Sequence, residues 1–177
     1  VEGLILDLRN NSGGLVSSGI AVADSLLSEK PVVETKNRNG IKDAIISQKE
    51  TSFDGPMVTL VNKGTASASE ILAGSLQDNE RSILMGEKTY GKGLIQSLKT
   101  LGEDSGIAIT VASYLTPKGN NIQGQGMTPD KLLDLPDVKE YGSADDKWVK
   151  NAELFLDSLL EKKEVSSQIS DLNNEET

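Results

Sequence analysis

Short runs of apolar residues, separated by turn-forming segments, mark the strands that this chain is expected to form. The runs Leu4–Leu6 and Met57–Val61 are continuous rather than alternating, which is typical of strands covered on both faces. Ile20–Leu27 and residues 68–76 instead carry apolar residues at helical spacing. Strands followed by helices predict an α/β fold with parallel and mixed strands in its core.

Further strands are predicted before and after residue 92. They lie at Pro31–Lys36, Ser82–Gly86, Gly93–Leu98 and Ile107–Ala112. The last two flank the turn-forming segment Glu103–Gly106 and therefore predict a β-ribbon. Lys42–Ser52 is polar and predicts an exposed excursion of strand and loop, and residues 114–129, rich in Gly, Asn, Gln and Pro, predict a loop.

The end of the chain predicts one helix and a polar tail. Ser143 and Asp146 have the spacing of a capping box, which opens a helix to about Lys162. Its apolar stripe, typical of packing on a core, consists of Trp148, Ala152, Phe155, Leu156, Leu159 and Leu160. We expect a core at 1–140, a helix at 143–163 packed on it, and a disordered acidic tail at 164–177.

Composition narrows the classes of function. The net charge of −9 argues against nucleic acid and against an anionic membrane surface as partners. No apolar run approaches the roughly 20 residues that span a bilayer, so stable membrane insertion is not expected. The 177 residues include no histidine and no cysteine, which excludes a Ser-His-Asp triad and a thiol nucleophile.

The segment Gly64–Glu70 is the first candidate for chemistry. It joins the predicted strand Met57–Val61 to a helix, so Ser67 lies at the mouth of a sheet near the N–H groups of a helix start. That is a suitable place for a nucleophile and an oxyanion. Ser67 and Glu70 also have capping-box spacing, and the segment alone favours this structural interpretation.

Lys92 is the second candidate, because Gly91 and Gly93 bracket it and permit an unusual turn. Without histidine, lysine is the remaining strong base that could activate Ser67, provided that burial disfavours its charged form. The spacing of Gly86, Gly91 and Lys92 also matches most of a phosphate-binding loop. That alternative is disfavoured because Gly93 replaces the required Ser or Thr, and a strand rather than a helix is predicted next.

The break after the first strand, Asn10–Gly14, has two interpretations. Exposed N–H groups at Gly13 or Gly14 could bind an oxyanion, or the glycines could simply form a tight turn with positive φ. The residues alone favour the turn.

These segments together resemble the C-terminal processing peptidases, also called tail-specific proteases. The resemblance rests on motifs in series: Asp7–Gly14, Val61–Gly74, Gly91–Gly93, Tyr114–Pro117 and Gly126–Asp130. It covers about residues 1–135, and it is closest to the branch that trims the photosystem II reaction-centre precursor. The family implies a crotonase-like mixed sheet with flanking helices.

The resemblance implies a serine endopeptidase that cleaves proteins near their C-termini. By this resemblance Ser67 is the nucleophile, Lys92 the base, and Gln96 the residue that orients the lysine. The oxyanion would bind the N–H groups of Ala68 and of Gly13 or Gly14. An acid at the position of Asp78 supports the lysine in some members, while a solvated helix end or a structural hydrogen bond remains the alternative. Neither metal nor cofactor is implied.

The family also implies partners and a compartment. Its substrates are proteins with an unstructured C-terminus, recognised by a PDZ domain, and it works in the periplasm, cell envelope or thylakoid lumen. Because this chain opens without methionine at a core strand, we expect a fragment that is a poor protease alone and can self-associate. A non-catalytic binding module on the same scaffold is the alternative function.

Overall fold

Two sheets organise the part of the chain that the structure, a computed structural model, describes. It describes residues 1–40, 42–48, 50–134, 138 and 140–175, with side chains to residue 162. The strands are β1 (Leu4–Asp7), β2 (Pro31–Asn37), β3 (Lys42–Ile46), β4 (Met57–Val61), β5 (Ile83–Gly86), β6 (Leu94–Thr100), β7 (Gly106–Leu115) and β8 (Lys131–Leu132). The helices are α1 (Val16–Leu26), α2 (Ala68–Asp78) and α3 (Lys147–Glu175).

The first sheet is parallel, with strand order β1-β4-β5-β8. All five residues of β4 are buried, as its continuous apolar sequence predicts. Successive side chains alternate between the two faces of the sheet. Met57 and Val61 therefore pack in one core, while Val58 and Leu60 pack in another on the opposite face.

Helices cover both faces of this sheet. The apolar residues of α1 and α2 share the first core with Met57 and Val61. Trp148, Ala152 and Leu156 of α3 fill the second core, and Phe155 packs against it. The predicted apolar stripe is thus confirmed as core packing from Trp148 to Leu156. The result is a layered α/β fold in which the parallel strands end at one common edge.

The second sheet is antiparallel, with order β3-β2-β7-β6. The β-ribbon predicted after Lys92 is confirmed as the β6–β7 pair, and the excursion after residue 41 is confirmed as the exposed strand β3. The expectation of one mixed sheet is wrong, because the parallel and antiparallel strands form separate sheets. Short hairpins keep β2 with β3 and β6 with β7, whereas parallel strands need longer crossovers.

Helix α3 begins at Lys147, one residue after the predicted capping box. Asp146 is itself the cap, since its Oδ1 accepts hydrogen bonds from the N–H groups of Trp148 (3.0 Å) and Val149 (3.3 Å).

The end of α3 predicted near Lys162 is wrong for the backbone, which continues as helix to Glu175. The segment predicted to be disordered from residue 164 is thus helical as far as Glu175. The domain boundaries stay predictions, and positions 135–137, 139, 176 and 177 lie outside the described residues.

Over the described ranges, no helix is both long and apolar enough to cross a membrane.

A buried ion-pair network ties α3 to β1. The Arg9 guanidinium lies between the carboxylates of Asp7 and Asp146, and its side chain is only 2% exposed. Burial by itself would raise the pKa of Asp146, but hydrogen bonds from Arg9 and from the backbone of Gly142 and Val149 outweigh it and lower that pKa to about 2. The ionised form of Asp146 is therefore the one that the fold stabilises.

This network predicts a specific loss of stability in acid. Because the folded pKa of Asp146 lies below its usual 3.8, its contribution is complete above about pH 4 and is lost as the pH falls towards 2. Asp146→Asn should therefore lower the free energy of unfolding at pH 7. At pH 2 the difference between wild type and variant should be smaller, by at most about 2 kcal/mol. Urea unfolding at several pH values measures the difference.

Asp145→Asn, at the exposed neighbouring position, is the matched control and should change little at any pH. A difference between wild type and Asp146→Asn that stayed constant from pH 7 to pH 2 would contradict the network as the source.

Candidate active site

Ser67 occupies a strained turn between β4 and α2. Its backbone has φ 58° and ψ −121°, a conformation that residues other than glycine rarely adopt. The turn projects the residue from the edge of the parallel sheet directly before the first residue of α2, Ala68. The sequence prediction that Ser67 lies at a strand-to-helix turn is confirmed.

Hydrogen bonds between the loops after β1 and β4 hold this turn. Thr65 Oγ1 donates to the carbonyl oxygen of Leu8 (2.7 Å), and the Ala66 N–H donates to the carbonyl oxygen of Asn11 (3.0 Å). Since β1 and β4 are parallel neighbours, their loops leave the sheet at the same edge and can bind each other. The residues around Ser67 are thus fixed by long-range contacts.

Gly13 is the glycine that lies against Ser67. A Cβ at this position, where φ is 91°, would come within 2.9 Å of the Ala68 nitrogen and 3.0 Å of Ser67 Cβ. The same test at Gly14 finds open space. The structure therefore brings Gly13 and Ala68 together, as the oxyanion prediction requires. In this structure the Gly13 N–H donates to Asn11 Oδ1 (3.0 Å).

The two glycines around Lys92 allow a close backbone approach. A Cβ at Gly91 would lie 2.9 Å from the Gly126 nitrogen, and one at Gly93 would lie 2.7 Å from the Gln123 nitrogen. Neither residue could therefore carry a side chain without displacing loop 121–126. After Gly93 the chain continues as β6 rather than as a helix, which contradicts the phosphate-binding alternative.

Glu70 joins the Ser67 turn to the Lys92 loop. Its side chain is fully buried, and Oε2 accepts hydrogen bonds from the N–H groups of Ser67 (2.9 Å) and Lys92 (2.8 Å). Oε1 accepts from the Gly91 N–H (2.7 Å) and from Thr89 Oγ1 (2.5 Å). One carboxyl group thus binds both segments through their backbones.

Sequence reasoning gave Glu70 only its local role in a capping box. The contact with the Ser67 N–H is that role, but the other three donors come from residues 89–92. The sequence carried one signal, because Glu70 stands among the apolar residues of the predicted helix 68–76. The structure buries that helix from Ala68 to Leu76, where an acidic residue requires partners. The identity of those partners depends on tertiary structure.

The side chains of Ser67 and Lys92 do not hydrogen-bond each other in the described part of the chain. Lys92 is exposed, so the expectation of a buried lysine is wrong for this structure. Its backbone N–H binds Glu70, while the residue itself is exposed to solvent. Gln96, on β6, is also exposed. Its predicted role and that of Lys92 stay predictions.

Asp78 makes a structural hydrogen bond at the end of α2. Its Oδ2 accepts from the backbone N–H of Lys118 (2.8 Å), which anchors the loop after β7. That was the alternative to a supporting role for Lys92. Across the described residues, no group of three or more acidic side chains is placed to hold a metal ion.

An apolar cavity of about 240 Å³ opens beside Ser67. Gly13 and Gly14 border it, and α1, α2 and β1 supply most of its walls. None of its lining residues is charged. The apolar ones are Leu6, Leu8, Leu15, Val22, Ala68 and Leu72. The cavity can accept an uncharged, aliphatic group next to the serine.

The geometry defines a class of α/β protein in which a strained serine and a glycine-bracketed lysine lie on two segments bound to one buried glutamate. The model of peptidase family S41 matches residues 1–133, and the chain belongs to this family. The resemblance predicted from the sequence motifs is thereby confirmed.

Known relatives are similar over most of this chain. A carboxyl-terminal-processing protease of Synechocystis sp. is 53% identical over 135 residues, which cover 76% of this chain and 32% of that protein. The chloroplastic C-terminal processing peptidase of Tetradesmus obliquus is 49% identical over 140 residues, covering 78% and 30%.

The solved photosystem II D1 C-terminal processing protease is similar with a TM-score of 0.72 at 47% identity, covering 76% of this chain and 35% of that one. The mixed α/β fold is confirmed by this similarity. The chain spans about a third of the length of these relatives.

Glu70→Gln tests the glutamate as the link between the two segments. The glutamine amide has an NH₂ group in place of one carboxylate oxygen, and each oxygen of Glu70 accepts from two donors. The NH₂ group would therefore face two donors, and the buried hydrogen bonds on that side of the group would be lost. We expect the free energy of unfolding to fall by about 3 kcal/mol or more, since each unsatisfied buried polar group costs about 1–3 kcal/mol. Urea unfolding measures it.

Glu153→Gln, the same change at an exposed position of α3, is the control and should be nearly neutral. If both variants were equally stable, the link through Glu70 would be refuted.

Proposed function

We propose that this chain is the catalytic core of a serine endopeptidase that cleaves protein substrates near their C-termini. The observation that supports it best is the Glu70 carboxyl group, which holds the backbones of Ser67 and Lys92 in one unit. Such an arrangement fixes the two segments from which a nucleophile and its base would act. The crotonase-like character of the core is part of this proposal.

The proposed reaction is acyl transfer. Ser67 Oγ attacks the scissile carbonyl carbon while Lys92 Nζ takes the hydroxyl proton. The resulting oxyanion binds the N–H groups of Ala68 and of Gly13 or Gly14. Lys92 then donates the proton to the leaving amine, and water repeats the sequence on the acyl-enzyme. Gln96 orients the lysine, and Asp78 supports the site through the loop that it anchors.

This mechanism requires two local rearrangements. The Lys92 side chain has to turn from solvent towards Ser67, and the Gly13 N–H has to exchange Asn11 Oδ1 for the oxyanion, or leave this task to Gly14. The first is a movement of a side chain, and the second is a movement of a side chain or of a single peptide group. The same two features also favour a non-catalytic binding module, which is therefore the second candidate function.

We further propose the setting implied by the family: substrates with unstructured C-termini, recognition by a PDZ domain, and work outside the cytoplasm in the periplasm, cell envelope or thylakoid lumen. We also propose that the chain can self-associate. Apolar side chains exposed on the second sheet, such as Leu98 and Ile46, support it.

Substitution of the dyad separates the two candidate functions. Ser67→Ala and Lys92→Ala should each lower the rate of hydrolysis of an unstructured protein by about a thousandfold or more, and the double variant should be little worse than either, because the two residues act as one unit. Gln96→Ala should have a milder effect, because it does not carry the proton.

The matched control is Lys88→Ala, an exposed lysine of the same loop, which should keep full activity. Hydrolysis that survives in Ser67→Ala would exclude the proposed mechanism, and substrate binding without any hydrolysis by the wild type would support the binding module.

The cavity beside Ser67 predicts the residue before the cleaved bond. Because its lining carries no charge, cleavage should follow Ala, Val or Leu at least about tenfold faster than Asp or Lys. Val22→Phe should narrow the cavity from its half-exposed rim and shift the preference towards Ala. A peptide series that varies only this residue measures both effects.

Ile46→Phe, on the exposed strand β3, is the control and should leave the preference unchanged. A preference for charged residues would show that this cavity does not receive the substrate.

A further inference from the structure

The loop that carries Gly13 is attached to the start of α3 as well as to the sheet. The loop begins directly after Arg9, whose side chain spans from Asp7 at the end of β1 to Asp146 at the cap of α3. Arg9 donates to Asp146 Oδ1 at 3.1 Å and Oδ2 at 2.6 Å, a two-point contact that fixes the orientation of the guanidinium. The side chain of Asp146 is completely buried.

Tyr141 adds a second contact one residue further into the loop. Its ring lies 4.5 Å from the Arg9 guanidinium carbon, and its hydroxyl accepts a hydrogen bond from Asn10 Nδ2 (2.7 Å). Asn10 has φ 56°, an uncommon conformation for a residue other than glycine. Its Oδ1 accepts from Asn62 Nδ2 (3.1 Å), so the same side chain joins Tyr141 to the loop after β4.

The strained turn at Asn10 directs the chain towards Asn11 and Gly13. Asn11 binds Ala66 through its carbonyl oxygen, and Gly13 lies against Ser67. A shift of the Asn10 backbone would therefore displace Gly13 relative to the serine. Asn62 opposes such a shift from the loop after β4, where its Oδ1 accepts a hydrogen bond from the Asn10 N–H (2.8 Å). Tyr141 and Asp146 oppose it from the start of α3.

Both residues lie beyond the segment 1–133 that the family model matches. They also differ in burial, since Tyr141 is 40% exposed and Asp146 is buried. Loss of the tyrosine hydroxyl can therefore be separated from damage to the core.

We infer that Tyr141 and Asp146, together the α3 clasp, are positioning residues that hold loop 10–14 in the geometry required for oxyanion binding. This inference rests on the proposed function for its catalytic consequence. The clasp acts through Arg9 and Asn10 and does not touch the substrate. Removing it should lower kcat and leave KM unchanged, because loop geometry matters most when the oxyanion forms.

The test compares the wild type with Tyr141→Phe, Asp146→Asn and the control Asp145→Asn in the 177-residue chain. Tyr141→Phe removes one hydrogen bond and keeps the ring over Arg9. We expect about three- to tenfold faster amide hydrogen exchange in residues 10–14 and a similar fall in kcat, which matches the loss of one hydrogen bond. Exchange in α2, KM and the melting temperature should remain those of the wild type.

Asp146→Asn should have the larger effect on the loop, accompanied by lower stability, and Asp145→Asn should have none. Unchanged exchange in residues 10–14 of Tyr141→Phe would overturn the inference, as would faster exchange with an unchanged kcat. If the wild type shows no hydrolysis that depends on Ser67, the proposed function fails. Exchange alone then decides whether the clasp holds the loop, with faster exchange supporting it and unchanged exchange overturning it.

Discussion

The buried carboxyl group of Glu70 is the interaction on which the site depends. A carboxyl group enclosed without donors would be strongly destabilising, and here four donors surround it. Two of these donors are the backbone N–H groups of Ser67 and Lys92. The Ser67 turn and the Lys92 loop must therefore both be in place for α2 to be buried, which makes the site geometry a condition of folding.

Strain at the site is supported in the same way. Ser67 and Asn10 both have positive φ, and each lies in a loop that leaves the parallel sheet at its common edge. Each unfavourable conformation costs on the order of 1–3 kcal/mol. Hydrogen bonds between the two loops, such as that from Thr65 to Leu8, offset this cost, so neither loop would hold its shape alone.

The features that depend on local sequence patterns and backbone geometry could be predicted from the sequence. The buried strand β4, the turn at Ser67 and the β-ribbon after Lys92 follow from apolar runs, glycines and hairpin residues. The separation into two sheets and the partners of Glu70 did not follow, because they depend on contacts between distant segments. The exposure of Lys92 could not be predicted either, since it depends on the tertiary contact of Glu70 with the backbone of the Lys92 loop.

A fixed backbone and an exposed side chain at Lys92 are together compatible with the proposed dyad. Ordering a lysine side chain costs about 2 kcal/mol in rotamer entropy, which corresponds to roughly a thirtyfold reduction in rate. Enzymes lower their barriers by about 8 kcal/mol or more, so this cost is a small part of the effect required. A misplaced backbone at Ser67 or Gly13 would be far harder to correct, because it would break the buried contacts of Glu70 and of the loop after β1. The fold thus fixes the backbone of the site, which would be costly to rearrange, and leaves exposed the lysine side chain, which costs little to order.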